Sequence, residues 1–176
     1  MRVSVLSLLM AFAVLVAMLI GEQVKGCVVV RPLVDDVHYA IKHYRARDLP
    51  WYLHDPESLD IPDPDTGIRP LMTALIWEKH KHFRKLLSSG ADPDLTDQVG
   101  NTALHIAAQI NEPGLVLELL EAGADPLIRN QQQQTFQPYL FMADEKVLSA
   151  RTRKDRAAVL AWLVKNEIPL ELSPKR

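Results

Sequence analysis

The sequence predicts an all-α solenoid of about four stacked helix–turn–helix units, the first and last of them degenerate. Three observations carry that expectation. Gly90-Ala91-Asp92-Pro93 returns as Gly123-Ala124-Asp125-Pro126, the same four residues 33 positions later. Gly67 and Gly100, Leu71 and Leu104, Ala74 and Ala107, and the pairs Leu86-Leu87 and Leu119-Leu120 keep that offset. Within each period the apolar residues recur at helical spacing, in two stripes separated by a break. One such hairpin cannot bury both its faces, so it requires neighbours stacked against it.

The best unit covers residues 100–132. Thr102 is placed to cap its first helix, accepting from a backbone N–H that has no partner inside the helix. Leu104, Ala107 and Ala108 then share a face, which the two alanines keep thin enough for another helix to lie close. Pro113 and Gly114 interrupt, and Leu115, Val116, Leu119 and Leu120 form the stripe of a second helix. Gly123 follows and is suited to the left-handed conformation that ends helices. Around this core, Asp97, Gly100, Thr102, Leu104, His105, Ala107, Ala108, Leu119, Leu120, Gly123, Ala124 and Asp125 together resemble the ankyrin repeat. That unit reads D-x-x-G-x-T-P-L-H-x-A-A, then two leucines, then G-A-D. Ala103 stands where the family has proline, and Asn111-Glu112 where it often has Gly-His.

Composition sets the bounds. A chain of 176 residues is enough for one domain that buries about two-thirds of its unfolded surface. A formal net charge of −2 leaves no overall footprint for nucleic acid. Twelve prolines against seven glycines suit short helices joined by stiff turns, and a single cysteine excludes an internal disulfide.

Residues 1–26 read as a signal peptide or membrane anchor. Arg2 precedes an uncharged apolar run over residues 3–20, the layout of an export signal and long enough to span a bilayer. Val24-Lys25-Gly26-Cys27 resembles a bacterial lipobox at Val24, Gly26 and Cys27, so Cys27 is a candidate lipidation site. Lys25 fits that pattern poorly. Lipidation, an uncleaved anchor and a cleaved soluble product all remain open. Residues 27–33 read as a linker, with Pro32 breaking any helix.

The repeat domain is expected over residues 34–172, in units of about 34–66, 67–99, 100–132 and 133–172. In the first, Asp35-Asp36 open a helix on which Val37, Ile41 and Tyr44 face one way, and residues 50–53 supply a short second helix. The Asp- and Pro-rich stretch 55–65 leads onward as a projecting loop. In the second unit Arg69 takes the place of the capping threonine, with Pro70-Leu71 behind it, and Phe83, Leu86 and Leu87 carry the second helix. The last unit diverges most. Leu140 and Ala143 match Leu104 and Ala107 at an offset of 36, so about three residues are inserted around 131–134. Leu163 and Val164 match Leu119 and Leu120 at 44, so about eight more lie between the helices. That insertion, roughly 145–156, reads as an exposed basic loop holding Lys146, Arg151, Arg153, Lys154 and Arg156. Residues 173–176 are a solvated tail.

The chemistry-bearing residues give little sign of catalysis or of a metal. His80-Lys81-His82 lacks a third ligand in register and reads as a polar turn between helices. His105 holds the family's histidine position, which implies bonding to backbone in adjoining loops. Asp55, Glu57, Asp60, Asp63 and Asp65 lack the spacing of a calcium loop and read as a solvated acidic loop. The sequence holds no phosphate-cradling glycine loop, nucleophile elbow or paired-carboxylate pattern. No catalytic residue, metal or cofactor is expected.

The resemblance implies instead a surface, on which projecting turns and first helices bind other proteins. Carried over by position, the turn sites are Asp65, Ile68, Gln98, Asn101 and Arg129, with Thr66, Thr96, Val99 and Gln131 beside them. The helix sites are Ile76, Trp77, Gln109 and Ile110. Trp77 has a second reading, as a core residue packed between repeats. The expected function is a non-enzymatic protein-binding module, exported and lodged in the periplasm or on the periplasmic face of a membrane. It would act as an immunity or inhibitor protein against a periplasm-acting toxin, or as a scaffold for an envelope or oxidative-stress enzyme. An enzyme with its site in the divergent last unit is the rival from another class. The expected state apart from its partner is a monomer.

Overall fold

The computed structural model describes residues 37–46 and 56–171. The readings of residues 1–33, including Cys27 and the apolar run, lie outside them, as do the short helix expected at 50–53 and the tail. Contacts divide the chain between Leu33 and Val34, and everything below concerns the second part.

The described residues contain helices and turns and no strand. They comprise α1 (Val37–His43), α2 (Pro70–Ile76), α3 (His80–Ser88), α4 (Ala103–Gln109), α5 (Pro113–Glu121), α6 (Gln137–Leu140) and α7 (Ala150–Lys165). Single 3₁₀ turns lie at Pro56–Leu59 and Glu145–Val147. This is the all-α solenoid that the period predicts. The first helices stack in chain order, α1 on α2, α2 on α4 and α4 on α6, while α2 pairs with α3, α4 with α5, and α5 packs on α7.

Three of the helices start for an identifiable local reason. Thr102 and His105 form a reciprocal capping box at α4, the hydroxyl accepting from the His105 N–H and the ring from the Thr102 N–H. Arg69 offers no such cap to α2, but Pro70 at the first helical position has no N–H to satisfy. Arg69 instead donates to the carbonyls of Thr96 at 3.2 Å and Asp60 at 3.0 Å, tying two loops to the helix entrance. Ser149 caps α7 through the Thr152 N–H.

One continuous core runs through the stack. Val37, Ala40 and Ile41 of α1 occupy the positions of Leu71, Ala74 and Leu75 in α2 and of Leu104, Ala107 and Ala108 in α4, all of them buried. Phe83, Leu86, Leu119, Val159 and Leu163 close it from the second helices. Two aspartates join neighbouring loops. Asp60 accepts from the Asp92 N–H at 3.1 Å, and Asp94 from the Asp125 N–H at 2.9 Å.

Four details depart from the sequence expectation. Tyr44 lies past the end of α1 and is exposed, so it does not extend the apolar face. Ala143 falls beyond α6, which stops at Leu140, and is only half-buried. Val164 is 60% exposed although its counterpart Leu120 is buried, because no further described hairpin stacks on α7. The insertion at 145–156 is a 3₁₀ turn, which holds Lys146, followed by the lengthened start of α7, so Arg151, Arg153, Lys154 and Arg156 ride on a helix rather than a loop.

The turn between first and second helices is strained in one place. Glu78 and Asn111 hold the same position in successive hairpins, with φ of 53° and 57°. Asparagine tolerates this left-handed region; glutamate has no such advantage. Glu78→Gly is therefore expected to stabilise the fold by about 0.5–1 kcal/mol, the strain relieved less the chain entropy that glycine adds. Urea unfolding of the two chains at equal slope measures it, and a loss of stability would refute the strain.

Candidate functional site

The exposed residues of interest sit where the first helices end. Ile76 and Trp77 terminate α2, and Gln109 and Ile110 hold the same positions one repeat on, at the end of α4. All four are exposed, Trp77 by 52%. Trp77 is therefore not packed between repeats, the second reading the sequence left open. The ammonium of Lys42 stands 5.6 Å from its ring centroid, close enough for a cation–π contact. Beyond Lys42, Tyr39 stacks on His43 with ring centroids 4.2 Å apart and meets Tyr44 edge-on at 6.1 Å. Sequence reasoning missed Tyr39, Lys42 and His43 because it placed only one face of α1, and it set Tyr44 on that face. Their positions in the hairpin frame, aligned with the end of α2, were the available signal.

The turn residues divide differently. Asp65 is exposed, in a turn whose N–H groups bond to Asp63. Gln98 is exposed, but its amide donates to the Asp65 carbonyl at 2.9 Å, and Gln131 repeats that bond to the Gln98 carbonyl at 2.8 Å. Ile68 packs against the core. Arg129 donates to the Gln133 carbonyl and pairs with Glu171, which holds the last turn to the C-terminal segment. Asn101 is corrected outright. It is only 7% exposed, its Nδ2 donating to Asp97 and its Oδ1 accepting from Asn130. It holds adjacent turns together and offers nothing to a partner. Successive turns approach so closely that a Cβ on Gly100, where φ is 81°, would meet Asn130 Cα at 3.2 Å.

Three histidines have structural roles. His105 Nδ1 accepts from the Thr102 N–H at 3.1 Å, which leaves the proton on Nε2 to donate to the Gln134 carbonyl at 3.0 Å. His38, which sequence reasoning passed over, does the same in the first unit, donating to the Ile61 carbonyl at 2.9 Å. His82 is buried and donates to the Tyr44 carbonyl at 3.1 Å. Among the described residues, no three of His, Cys, Asp and Glu form a metal-holding group. No described helix is long and apolar enough to cross a membrane.

Burial lowers the ring pKa of both His105 and His82. A base whose folded pKa lies below its unfolded value binds fewer protons when folded. The stability it supports is present above about pH 6.5 and is lost as pH falls through that value towards the folded one. Burial raises the Asp60 and Asp94 carboxyls, which act in the opposite sense at lower pH. The thermal midpoint is expected to fall between about pH 6.5 and about pH 5. His105→Gln should lower the midpoint yet flatten this slope; an unchanged slope would contradict a neutral, bonded ring.

Arg156 is the other residue the sequence misplaced. Assigned to an exposed loop, it is 5% exposed on α7. It donates to the Ala143 carbonyl at 2.9 Å and to Asn111 Oδ1 at 3.3 Å, and lies over the Phe141 ring. It fastens the divergent last unit to the preceding hairpin turn. Asn130 does similar work between turns, donating to Asn101 and to the Tyr139 hydroxyl.

Comparison with known proteins adds three findings. A family model for ankyrin repeats in three copies matches residues 37–130. Fem-1 homolog A is 48% identical over 67 residues in Bos taurus and 40% identical over 90 in Homo sapiens, covering 38% and 48% of this chain. The E3 ubiquitin-protein ligase KEG of Arabidopsis thaliana is 42% identical over 80 residues, or 42% of this chain. The matches span only 10%, 13% and 5% of those relatives' own lengths. Among solved structures, the ankyrin repeat domain of Bcl-3 superposes with a TM-score of 0.56 at 24% identity, covering 68% of this chain and 49% of that one, a likeness of fold.

Proposed function

Because the chain belongs to the ankyrin-repeat family, a family of protein–protein interaction modules, we propose that it binds one protein partner stoichiometrically and without catalysis. The observation that carries this reading is the exposed set Ile76, Trp77, Gln109 and Ile110, presented at matching positions by two rigidly stacked helices. Large apolar residues exposed together mark binding patches. A preformed stack presents them with little ordering on association, so more of their burial appears as affinity. Asp65 and the exposed part of Gln98 lie at the other end of the first helices, in the loops between repeats.

The finer reading places the module in the cell envelope, held by lipidated Cys27 or by the apolar run at residues 3–20, where it neutralises a periplasm-acting toxin. Support for export is the charge-free run behind Arg2, and support for inhibition is a domain whose distinguishing feature is a binding surface. The test is capture of the partner by the immobilised chain, followed by assay of the partner alone and in complex. An immunity role requires a complex of fixed ratio in which the partner's activity is suppressed. Unchanged or enhanced partner activity would replace inhibition with the scaffold role. Turnover by the chain alone would overturn the binding reading. Mass spectrometry of the mature chain separates a lipidated Cys27 from an uncleaved N-terminus.

A further inference from the structure

The two ends of the repeat domain differ locally in charge, although the hairpin-turn end also carries Glu112, Asp144 and Glu145. At the end where the loops between repeats lie, Asp63, Asp65, Asp92, Asp94, Asp97 and Asp125 gather, and Arg129 there is paired with Glu171. At the opposite end, the turns joining first to second helices, Tyr44–Ala46 and Glu78–His82 line a cleft of about 580 Å³. Its charged walls are Arg45, Lys79 and Lys81, with His80 and His82 between them and Glu78 the acidic exception. His80 Nε2 is shielded from solvent there and has no hydrogen-bond partner among the described residues. Trp77 directly precedes Glu78 in the chain, with Lys42 against its ring, and Tyr44 is part of the cleft lining. A cationic cleft beside an exposed aromatic is complementary to a ligand that is anionic and apolar by turns.

We propose that this cleft receives an acidic segment of the protein partner, its carboxylates entering between Arg45, Lys79 and Lys81 and an adjacent apolar side chain resting on Trp77. The inference rests on the protein-binding reading above and specifies the chemistry of the partner. Opposite charge steers the segment to this end of the stack, and the acidic end repels it. Apolar contact with Trp77 then fixes its register. Arg151, Arg153 and Lys154 on α7 carry the same sign but lie outside the cleft, which makes them the control for charge alone.

The experiment titrates the full chain with three fluorescent peptides of equal length, each carrying a central leucine pair flanked by glutamates, glutamines or lysines. The glutamate peptide is expected to bind, to weaken steeply as salt rises from about 50 to about 500 mM, and to exceed the other two. The double variant Lys79→Glu/Lys81→Glu should weaken it by about tenfold or more, since like charges then face each other. Arg151→Glu/Arg153→Glu should change it by less than about twofold, an exposed pair outside the cleft being screened. Thermal unfolding shows that each variant is folded. Equal binding of the glutamine peptide, or equal loss in the two double variants, overturns the proposal. So does tighter binding to phosphatidylglycerol vesicles that is lost in Lys79→Glu/Lys81→Glu, which would make an anionic lipid surface the occupant. If the natural partner is captured by Lys79→Glu/Lys81→Glu as well as by wild type, the acidic segment is refuted while the protein-binding function stands.

Discussion

Leu104→Ala and Leu119→Ala are each expected to cost about 2–5 kcal/mol of stability, through lost burial and the cavity left behind. Both side chains are fully buried, one in the row of first helices and the other in the row of second helices. α4 packs on α2, α5 and α6, so a cavity at Leu104 removes contacts from the units on either side as well as from its own. In a solenoid each unit is stabilised chiefly by its interfaces with its neighbours. Native-state hydrogen exchange in Leu104→Ala should therefore show faster exchange in α2 and α6 as well as in α4 and α5. Loosening confined to residues 100–132 would contradict the coupled stack. Chemical denaturation supplies the magnitude, and a loss below about 1 kcal/mol would mean that the site collapses around the smaller side chain.

Trp77→Ala should act on the other quantity. Its ring is 52% exposed and contacts Lys42 without entering the core, so its removal costs far less folding stability than Leu104→Ala. An aromatic anchor at the centre of an interface is typically worth 2 kcal/mol or more, about thirtyfold in affinity. Binding of the natural partner is expected to weaken by at least about tenfold in Trp77→Ala, measured by calorimetry with the captured partner. Full binding by a folded Trp77→Ala chain would remove the patch from the interface and direct attention to α7. An unfolded Trp77→Ala chain would contradict the exposure on which the assignment rests.

The sequence by itself determined the repeat and therefore the fold. An offset of 33 between Gly90-Ala91-Asp92-Pro93 and Gly123-Ala124-Asp125-Pro126 identifies one hairpin repeated, and Leu104, Ala107 and Ala108 identify the face it buries. These features were legible because capping, glycine turns and helical spacing are local, and local rules act on residues close in sequence. What the tertiary structure decided were the features whose cause lies a whole repeat away. Asn101 reads as an exposed turn residue and is buried, its side-chain oxygen taken up by Asn130, because adjacent turns are only a hydrogen bond apart. Gln98 stays exposed but gives its amide to the Asp65 carbonyl for the same reason. Val164 reads as core by register but is exposed, because at the end of the described stack nothing covers it. Arg156 reads as a solvated cation and is buried, because the lengthened α7 carries it onto the carbonyl of Ala143 and the amide of Asn111. Trp77 had two readings at equal footing in the sequence, and its exposure depends on how far α1 and α2 leave each other's ends uncovered. Periodicity specifies which face of a helix seeks cover; only the stacking of neighbours determines which residues receive it.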